Sequence, residues 1–230
     1  MREIILDTET TGLSPLSGDR LVEIGAVELF NHLPTGETFH VYINPERDMP
    51  KEAEAVHGLS ENFLSDKPKF KAIADDFIKF IGSTTLIIHN ASFDMSFLNA
   101  ELKMCRKPGI PNEQVVDSLM LARKKFPMGP NSLDALCKRF GIDNSKRTKH
   151  GALLDSELLA EVYLELIGGR QTGLNLKSEA DVKKPVWQSH AKPSQRPNAL
   201  PSRLTAEEKT RHDLLVTGLG NDALWSKPEV

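Results

Sequence analysis

The chain has 230 residues, of which 39% are hydrophobic and 27% are charged, and this suits one large domain or one domain with an appendage. Its net charge of −3 gives no general attraction to nucleic acid, so contact with a polynucleotide has to be local or arranged by a partner. Two cysteines, Cys105 and Cys137, exclude a disulfide framework and lack the spacing of metal ligands. No apolar run approaches the ~18 residues of a membrane span and no signal peptide precedes the first strand, so we expect a cytoplasmic protein with reduced thiols.

The chain opens with an apolar run, Ile4–Leu6, that is followed by two acids, Asp7 and Glu9. The run predicts a strand buried on both faces. Side chains alternate along a strand, so the two acids should point to the same side, about 6–7 Å apart. Converging carboxylates repel each other unless a cation lies between them, and a hard divalent cation is the usual solution. The alternative is a strand that ends in solvated acids, and this pair alone does not decide between the two.

The next part of the chain is predicted to form an antiparallel meander that leads into helices. Alternating apolar and polar residues indicate strands, and Leu33–Gly36 is predicted to be the turn between two of them. The predicted elements are strands over 20–29 and 36–43, helices over 50–57 and 68–81, and a short buried strand over 85–88.

From there, strands and helices alternate, which predicts crossover connections. The whole pattern favours an α/β or α+β fold, with a mixed sheet that starts antiparallel and is flanked by helices. The predicted elements are a helix over 92–104, a strand over 115–117, a helix that runs to 126, a helix with Asn131 as its N-cap and Gly141 at its end, and a last helix over 151–167.

Composition changes after Gly169. Four prolines among polar residues predict a flexible linker over 177–203. Thr205 and Glu208 then fit a capping box that opens a short helix. That helix cannot form a core of its own, so its apolar residues predict a segment that docks on another protein, the alternative being a tail that packs back on the domain. The apolar residues of this segment are Leu214, Leu215, Leu224 and Trp225.

Two more acids occur on predicted helices. Asp94 lies in a first helical turn, where an acid that complements the helix dipole is the simplest interpretation. Asp155 lies four residues before Leu159 on the apolar stripe of the last helix, where an acid has to be paired or to bind a cation. His150 precedes it by five residues and can share its site only from the loop before the helix.

Four acids in one cluster would favour a pair of Mg²⁺ or Mn²⁺ ions held with space for a phosphodiester. His150 is the side chain that titrates nearest neutral pH, and it is a sensible general base for an attacking water.

Three of these stretches resemble the motifs of the DEDD exonuclease superfamily: Asp7–Gly12, His89–Asp94 and His150–Asp155. A histidine five residues before the last acid marks the histidine-containing branch. Within it, the chain is similar over residues 1–169 to the proofreading subunits of bacterial replicative polymerases. The further stretches that carry this similarity are Glu52–Gly58, Asp117–Leu119, Ala122–Lys124, Asn131–Cys137 and Asp143–Thr148.

The resemblance implies a ribonuclease-H-like fold that removes nucleotides from the 3′ end of single-stranded or frayed DNA as nucleoside 5′-monophosphates. It implies that Asp7 bridges two metals, that Glu9 and Asp155 complete the tighter site, that Asp94 acts on the second metal and that His150 deprotonates the water. The residues implied to contact the terminal nucleotide, together with Asp7 and Glu9, are Thr10, Thr11, Glu52, His57 and Phe93. Without its motif, His57 would read as an ordinary surface histidine.

The same resemblance divides the chain. Residues 1–169 would be the catalytic domain, and a small accessory subunit that binds this domain is one further partner. Residues 170–176 would bind the sliding clamp through Gln171, Leu174 and Leu176, and residues 204–230 would dock on the polymerase catalytic subunit. The location implied is the bacterial cytoplasm. Two alternatives remain open: a free-standing exonuclease that trims DNA or RNA 3′ ends, and a non-catalytic scaffold of the same fold.

Overall fold

The computed structural model describes residues 1–145, 147, 149–168 and 204–219. The chain divides into two compact units, Met1–Leu174 and Asn175–Val230. Among the described residues, no helix combines the length and the apolar character needed to cross a membrane. Both cysteines are free thiols, with Cys137 buried and Cys105 partly exposed.

Five strands form one mixed sheet in the first unit, with the order β3-β2-β1-β4-β5. β1 pairs antiparallel with β2, and β2 pairs antiparallel with β3. β4 lies parallel to β1 and to β5. The predicted mixed sheet with an antiparallel start is therefore confirmed. The strands are β1 (Arg2–Thr10), β2 (Leu21–Phe30), β3 (Leu33–Tyr42), β4 (Thr85–Ile88) and β5 (Val115–Asp117).

The turn between β2 and β3 lies two residues earlier than predicted. Asn31 and His32 form it, with φ values of 51° and 66°. A two-residue hairpin loop with both φ values positive matches the twist of the strands, and asparagine tolerates this conformation well. The predicted turn Leu33–Gly36 is instead the irregularly paired start of β3.

Eight α-helices occur in the described residues: α1 (Lys51–His57), α2 (Glu61–Leu64), α3 (Phe70–Ile81), α4 (Ala91–Met104), α5 (Ser118–Lys125), α6 (Leu133–Phe140), α7 (Ala152–Leu166) and α8 (Ala206–Gly218). The single-turn α2 was not predicted. The N-cap of α6 is Ser132, whose hydroxyl accepts from the Ala135 amide, so the predicted Asn131 cap was wrong. The Asn131 amide instead donates to the carbonyls of Phe126 and Gly129 and closes the preceding loop.

The two faces of the sheet bury separate apolar cores. Ile4 and Leu6 point to a core that includes α3 and α4, whereas Ile5 points to a core that includes α5, α6 and α7. This alternation confirms that β1 is buried on both faces. It also determines where the acids of β1 go, because Asp7 and Glu9 share the parity of Ile5 and therefore point to the α7 side.

α7 approaches the sheet most closely at Gly25, which lies opposite Asp7 in the β1–β2 register. A Cβ at Gly25 would overlap the backbone of Ala152 and Leu153 at the start of α7. The Ser156 hydroxyl also donates to the Gly25 carbonyl at 2.8 Å. The missing side chain therefore lets α7 begin directly beside the acidic end of β1.

α8 in the second unit begins with the predicted capping box, in which the Thr205 hydroxyl and the Glu208 carboxylate bond each other's backbone amides. Leu214 and Leu215 are exposed, at 69% and 61% of their surface. The predicted linker over 177–203 lies outside the described residues. So do the other residues predicted for partner contacts, which are Gln171, Leu174, Leu176, Leu224 and Trp225.

We predict that Gly25→Ala lowers the free energy of unfolding by about 3 kcal/mol, because the added methyl has to push α7 away from β2. Gly151→Ala is the matched control: nothing lies within 4 Å of the added Cβ, and the change should stay within about 0.5 kcal/mol. Urea denaturation of both variants in EDTA measures the difference. Equal stabilities would show that the close approach of α7 is not required.

Candidate active site

The acids identified in the sequence lie around one cavity of about 290 Å³ at the end of β1. Asp7 and Glu9 come from β1, Asp94 from the first turn of α4 and Asp155 from the first turn of α7. His150 lies in the loop before α7, where its backbone amide donates to the Val56 carbonyl at 3.2 Å. The predicted condition for His150 and Asp155 to share a site is therefore met.

Asp94 is more than a complement to a helix dipole. Its side chain is only 3% exposed, and Oδ1 accepts a 2.7 Å hydrogen bond from the Thr8 hydroxyl. Thr8 has the opposite parity to Asp7 and Glu9, so it reaches the α4 side of the sheet. The cavity thus receives acids from both faces, at the point where the sheet ends.

A metal-ligand geometry is present among the described residues in Glu9, His150 and Asp155, whose candidate ligand atoms all lie within 4.8 Å of one another. Glu9 Oε1 is buried and has no hydrogen-bond partner in the described part of the chain. Carboxylate oxygens with one imidazole suit Mg²⁺ or Mn²⁺. Asp7 is not in this three-residue group, although it lines the same cavity.

Burial and mutual repulsion raise the pKa values of the acids. Desolvation raises the pKa of Asp7 well above its usual value, and Asp94, Glu9 and Asp155 add to it. Desolvation, then Asp155 and Glu23, raise the pKa of Glu9 to about 8. Desolvation also raises the pKa of Asp94 to about 7, against the hydrogen bond from Thr8. A cluster with these values favours a cation, which would return the acids to their charged forms.

Arg147 is a cation in this site that sequence reasoning did not assign. Its guanidinium donates to both oxygens of Asp155, at 2.5 and 2.7 Å, and to His150 Nδ1 at 2.8 Å. A 2.8 Å ion pair also links it to Asp134. Arg147 lies in the Asp143–Thr148 stretch that carries the family resemblance, but nothing in that stretch gave the arginine a role, and arginines are too common for its spacing from His150 to stand out.

Glu23 is a second residue that was missed. It lies opposite Glu9 in the β1–β2 register, is only 3% exposed and bonds the His40 ring at 2.7 Å. Its carboxylate therefore lies on the same face of the sheet as Glu9, close enough to raise the pKa of Glu9. Alternation along β2 is the sequence feature that could have identified Glu23. Its side chain points to the opposite face from Val22 and Ile24, which is the face on which Gly25 lies opposite Asp7.

The residues predicted to contact a terminal nucleotide line a second cavity, of about 500 Å³, beside the first. Thr8, Glu9 and Phe93 line both cavities. His57 is buried, and its Nδ1 accepts a 3.0 Å hydrogen bond from the Leu59 amide, so a neutral ring carries its proton on Nε2. Burial lowers its pKa and favours that neutral form. The predicted residues that the structure brings together here are Thr10, Thr11, Glu52, His57 and Phe93.

Comparison with known proteins identifies the family. A family model described as Exonuclease matches residues 4–163. The DNA polymerase III subunit epsilon of Rickettsia prowazekii is 57% identical over 79% of this chain and 80% of its own length. The subunit of the same name from Salmonella typhimurium is 45% identical over 97% of both chains. The chain belongs to the DNA polymerase III epsilon-subunit family.

The fold comparison agrees with the epsilon-subunit assignment. A solved structure of exonuclease X in complex with 5′-overhanging duplex DNA is 27% identical, with a TM-score of 0.56, over 72% of this chain and 90% of that one. The sheet and its flanking helices are thus those of a ribonuclease-H-like exonuclease. This fold, together with the group formed by Glu9, His150 and Asp155, indicates that the enzyme uses divalent metal.

We predict that the melting temperature of the metal-free protein falls as the pH rises from 4.5 to about 8. Glu9 has a pKa of 4.5 in the unfolded chain and of about 8 in the folded protein, and these two values set the range. The folded state holds a proton that the unfolded chain has already released, so this contribution to stability is complete below that range and is lost above it. Asp94 acts in the same direction between pH 3.8 and about 7.

Thermal melts in EDTA and in Mg²⁺ measure this effect. Mg²⁺ should stabilise the protein more at pH 8 than at pH 5, and Asp94→Asn should flatten the metal-free curve. A metal-free melting temperature that is constant or rises across this range would contradict the electrostatic account of the site.

Proposed function

We propose that the chain is the proofreading 3′→5′ exonuclease of a bacterial replicative DNA polymerase. It removes mispaired nucleotides from the 3′ end of DNA by metal-dependent hydrolysis of the terminal phosphodiester and releases nucleoside 5′-monophosphates. The observation that carries the proposal is the pair of adjoining cavities, one acidic and one mostly apolar, that share Glu9 and Phe93. One cavity suits a phosphodiester with its metals, and the other suits the terminal nucleoside.

The acids have distinct roles in this proposal. Asp7 would be shared by two Mg²⁺ or Mn²⁺ ions, Glu9 and Asp155 would complete the tighter site, and Asp94 would serve the second ion. When bound, the two ions supply an acidified water and charge neutralisation at the phosphodiester. Thr8 holds the Asp94 carboxylate from the α4 face, and the carboxylate of Glu23, which bonds His40, repels Glu9 and so favours a cation beside it.

His150 would accept the proton of the attacking water. Its side chain is 48% exposed at the edge of the acidic cavity, so solvent can carry the proton away. Its backbone bond to Val56 ties the loop to α1, which lines the nucleotide cavity. This contact would fix the base relative to a terminal nucleotide bound beside α1.

The nucleotide cavity would recognise a frayed end. The Phe93 ring lies at the boundary of the two cavities and is suited to stack on a base. His57 Nε2 has no hydrogen-bond partner among the described residues and is available for a sugar hydroxyl. Glu52 and the backbone of Thr10 and Thr11 provide further polar contacts. A cavity of this size would admit one unpaired nucleotide, and that would give the selectivity that proofreading needs.

The division of labour along the chain is also part of the proposal. Residues 1–169 would carry catalysis, 170–176 would bind the sliding clamp, 177–203 would be a linker and 204–230 would dock on the polymerase subunit. A flexible linker of this length reaches roughly 30 Å, which keeps the site near the primer end. The exposed Leu214 and Leu215 of α8 support the docking role.

We predict that Asp7→Ala and Asp155→Ala abolish Mg²⁺- or Mn²⁺-dependent digestion of mispaired DNA, because each removes a ligand charge from the acidic cavity. Asp75→Asn, which removes an exposed carboxylate paired with Lys107, is the control and should retain full activity. The readout is release of 5′-monophosphates from labelled 3′ ends. RNA digested as fast as DNA would favour a trimming enzyme instead, and normal digestion by either alanine variant would refute the metal assignment.

We also predict that truncation after Gly169 removes binding to polymerase and clamp but preserves digestion of short single strands. Pull-downs of the purified partners with full-length and truncated protein measure this separation. Leu214→Asp/Leu215→Asp in the full chain should weaken polymerase binding and leave clamp binding unchanged. Retention of the polymerase by the truncated protein would move the docking surface to the catalytic domain.

A further inference from the structure

Arg147 is a cation that lies among the acids of this cavity and pairs with Asp155. It lies in the loop between α6 and α7, and its side chain is only 8% exposed. Its Nε and Nη2 form a fork on the two oxygens of Asp155, at 2.5 and 2.7 Å, and its Nη1 reaches Asp134 at 2.8 Å. A planar guanidinium matches a carboxylate in this way better than any other side chain.

The fork covers the one acid that the proposed metal site takes from α7. Asp155 is 3% exposed, so few directions of approach remain once both oxygens accept hydrogen bonds from Arg147. Glu9, in contrast, keeps Oε1 buried and without a partner among the described residues. Of the proposed metal ligands, Glu9 therefore has an oxygen without a partner among the described residues, whereas the charge of Asp155 is already neutralised by Arg147.

Arg147 also covers the proposed base. Its Nη2 donates to His150 Nδ1 at 2.8 Å, and a guanidinium can only donate, so Nδ1 acts as the acceptor. The neutral ring then carries its proton on Nε2. Neither ring nitrogen is free to accept a proton from water in this arrangement, and the base is blocked by the same side chain that covers the acid.

We propose that Arg147 is a resident counter-ion of the metal-free site, and that it has to release Asp155 and His150 when divalent metal binds. Metal entry and activation of the base are then one event. The inference rests on the metal site of the proposed function and adds to it a resting state that the chain itself stabilises.

Charge and geometry support an exchange rather than permanent sharing. A divalent ion neutralises the clustered acids better than one guanidinium, since its attraction to each carboxylate is twice as large at the same distance. Asp134 is 57% exposed and lies at the mouth of the cavity, so it can retain the displaced guanidinium. Burial acts to lower the pKa of Arg147, but Asp155 and Asp134 raise it above its usual value, so the competing charge is permanent.

The first test measures metal affinity by calorimetry with Mn²⁺ on the full chain. Arg147→Gln should bind Mn²⁺ about tenfold more tightly than the unmodified protein, because the competitor is gone. Arg147→Lys keeps the charge but loses the fork, and it should show a smaller gain in affinity. If Arg147→Lys binds Mn²⁺ no more tightly than the unmodified protein, charge alone explains the glutamine variant and the exchange is refuted.

The second test follows the Arg147 Nε–H and the His150 ring directly by nitrogen NMR during a Mg²⁺ titration. Without metal, the Arg147 signal should be shifted by its bond to Asp155 and protected from exchange with water. Saturating Mg²⁺ should remove both features and change the His150 ring signals with the same midpoint. An Arg147 signal that stays the same at saturation would overturn the proposal, even if metal binds normally.

Arg2→Gln is the matched control for general loss of stability. Arg2 pairs with Glu28 at the opposite end of β1, so its removal should lower the melting temperature equally with and without metal. Arg147→Gln should lower the metal-free melting temperature more than the metal-bound one. If neither the unmodified protein nor any variant binds Mn²⁺, the proposed function itself fails. That outcome differs from one in which metal binds but Arg147 stays on Asp155, which refutes only the exchange.

Discussion

Repulsion among carboxylates in a confined space is the constraint on which the rest of this structure depends. Asp7, Glu9, Asp94 and Asp155 line one small cavity, and three of them are almost completely buried. Burial strengthens every interaction between them, so the cluster is stable only with protons or cations in it. Apolar or uncharged contacts position the acids of β1 and α4, whereas Asp155 is also paired with Arg147.

Those contacts come from the two faces of one strand. β1 sends Ile4 and Leu6 to one core and Ile5 to the other, so the strand is fixed before its acidic end begins. Beyond that point the same alternation sends Thr8 to Asp94 on α4, and Asp7 and Glu9 to α7. Gly25 removes the one side chain that would keep α7 at a distance. The site therefore depends on strand parity and on a single missing methyl group.

Much of this arrangement was predictable from sequence, because parity and helical spacing are local properties. The positions of Asp7 and Glu9 followed from alternation, and Asp155 followed from its place on an apolar stripe. Arg147 was not predictable in the same way, since its role arises from a loop path. Strand parity gives the face on which Glu23 lies, but its place opposite Glu9 arises from the β1–β2 register. The β2–β3 turn was predicted two residues too late, because the true turn, Asn31–His32, contains no glycine, and glycine is the usual sequence marker of positive φ.

In our proposal, Arg147 and divalent metal neutralise the cluster in turn, which explains how so acidic a site coexists with a stable fold. With Arg147 on Asp155, one of the four charges is compensated and the others can hold protons. Bound metal would instead favour the ionised form of these acids, which is the form that can hold it. An enzyme that cuts primer ends gains from this arrangement, since the form that is stable without metal is also the form in which His150 is blocked. The net charge of −3 is consistent with the proposed function, because it gives no general attraction to DNA and the partners that we propose would hold the duplex.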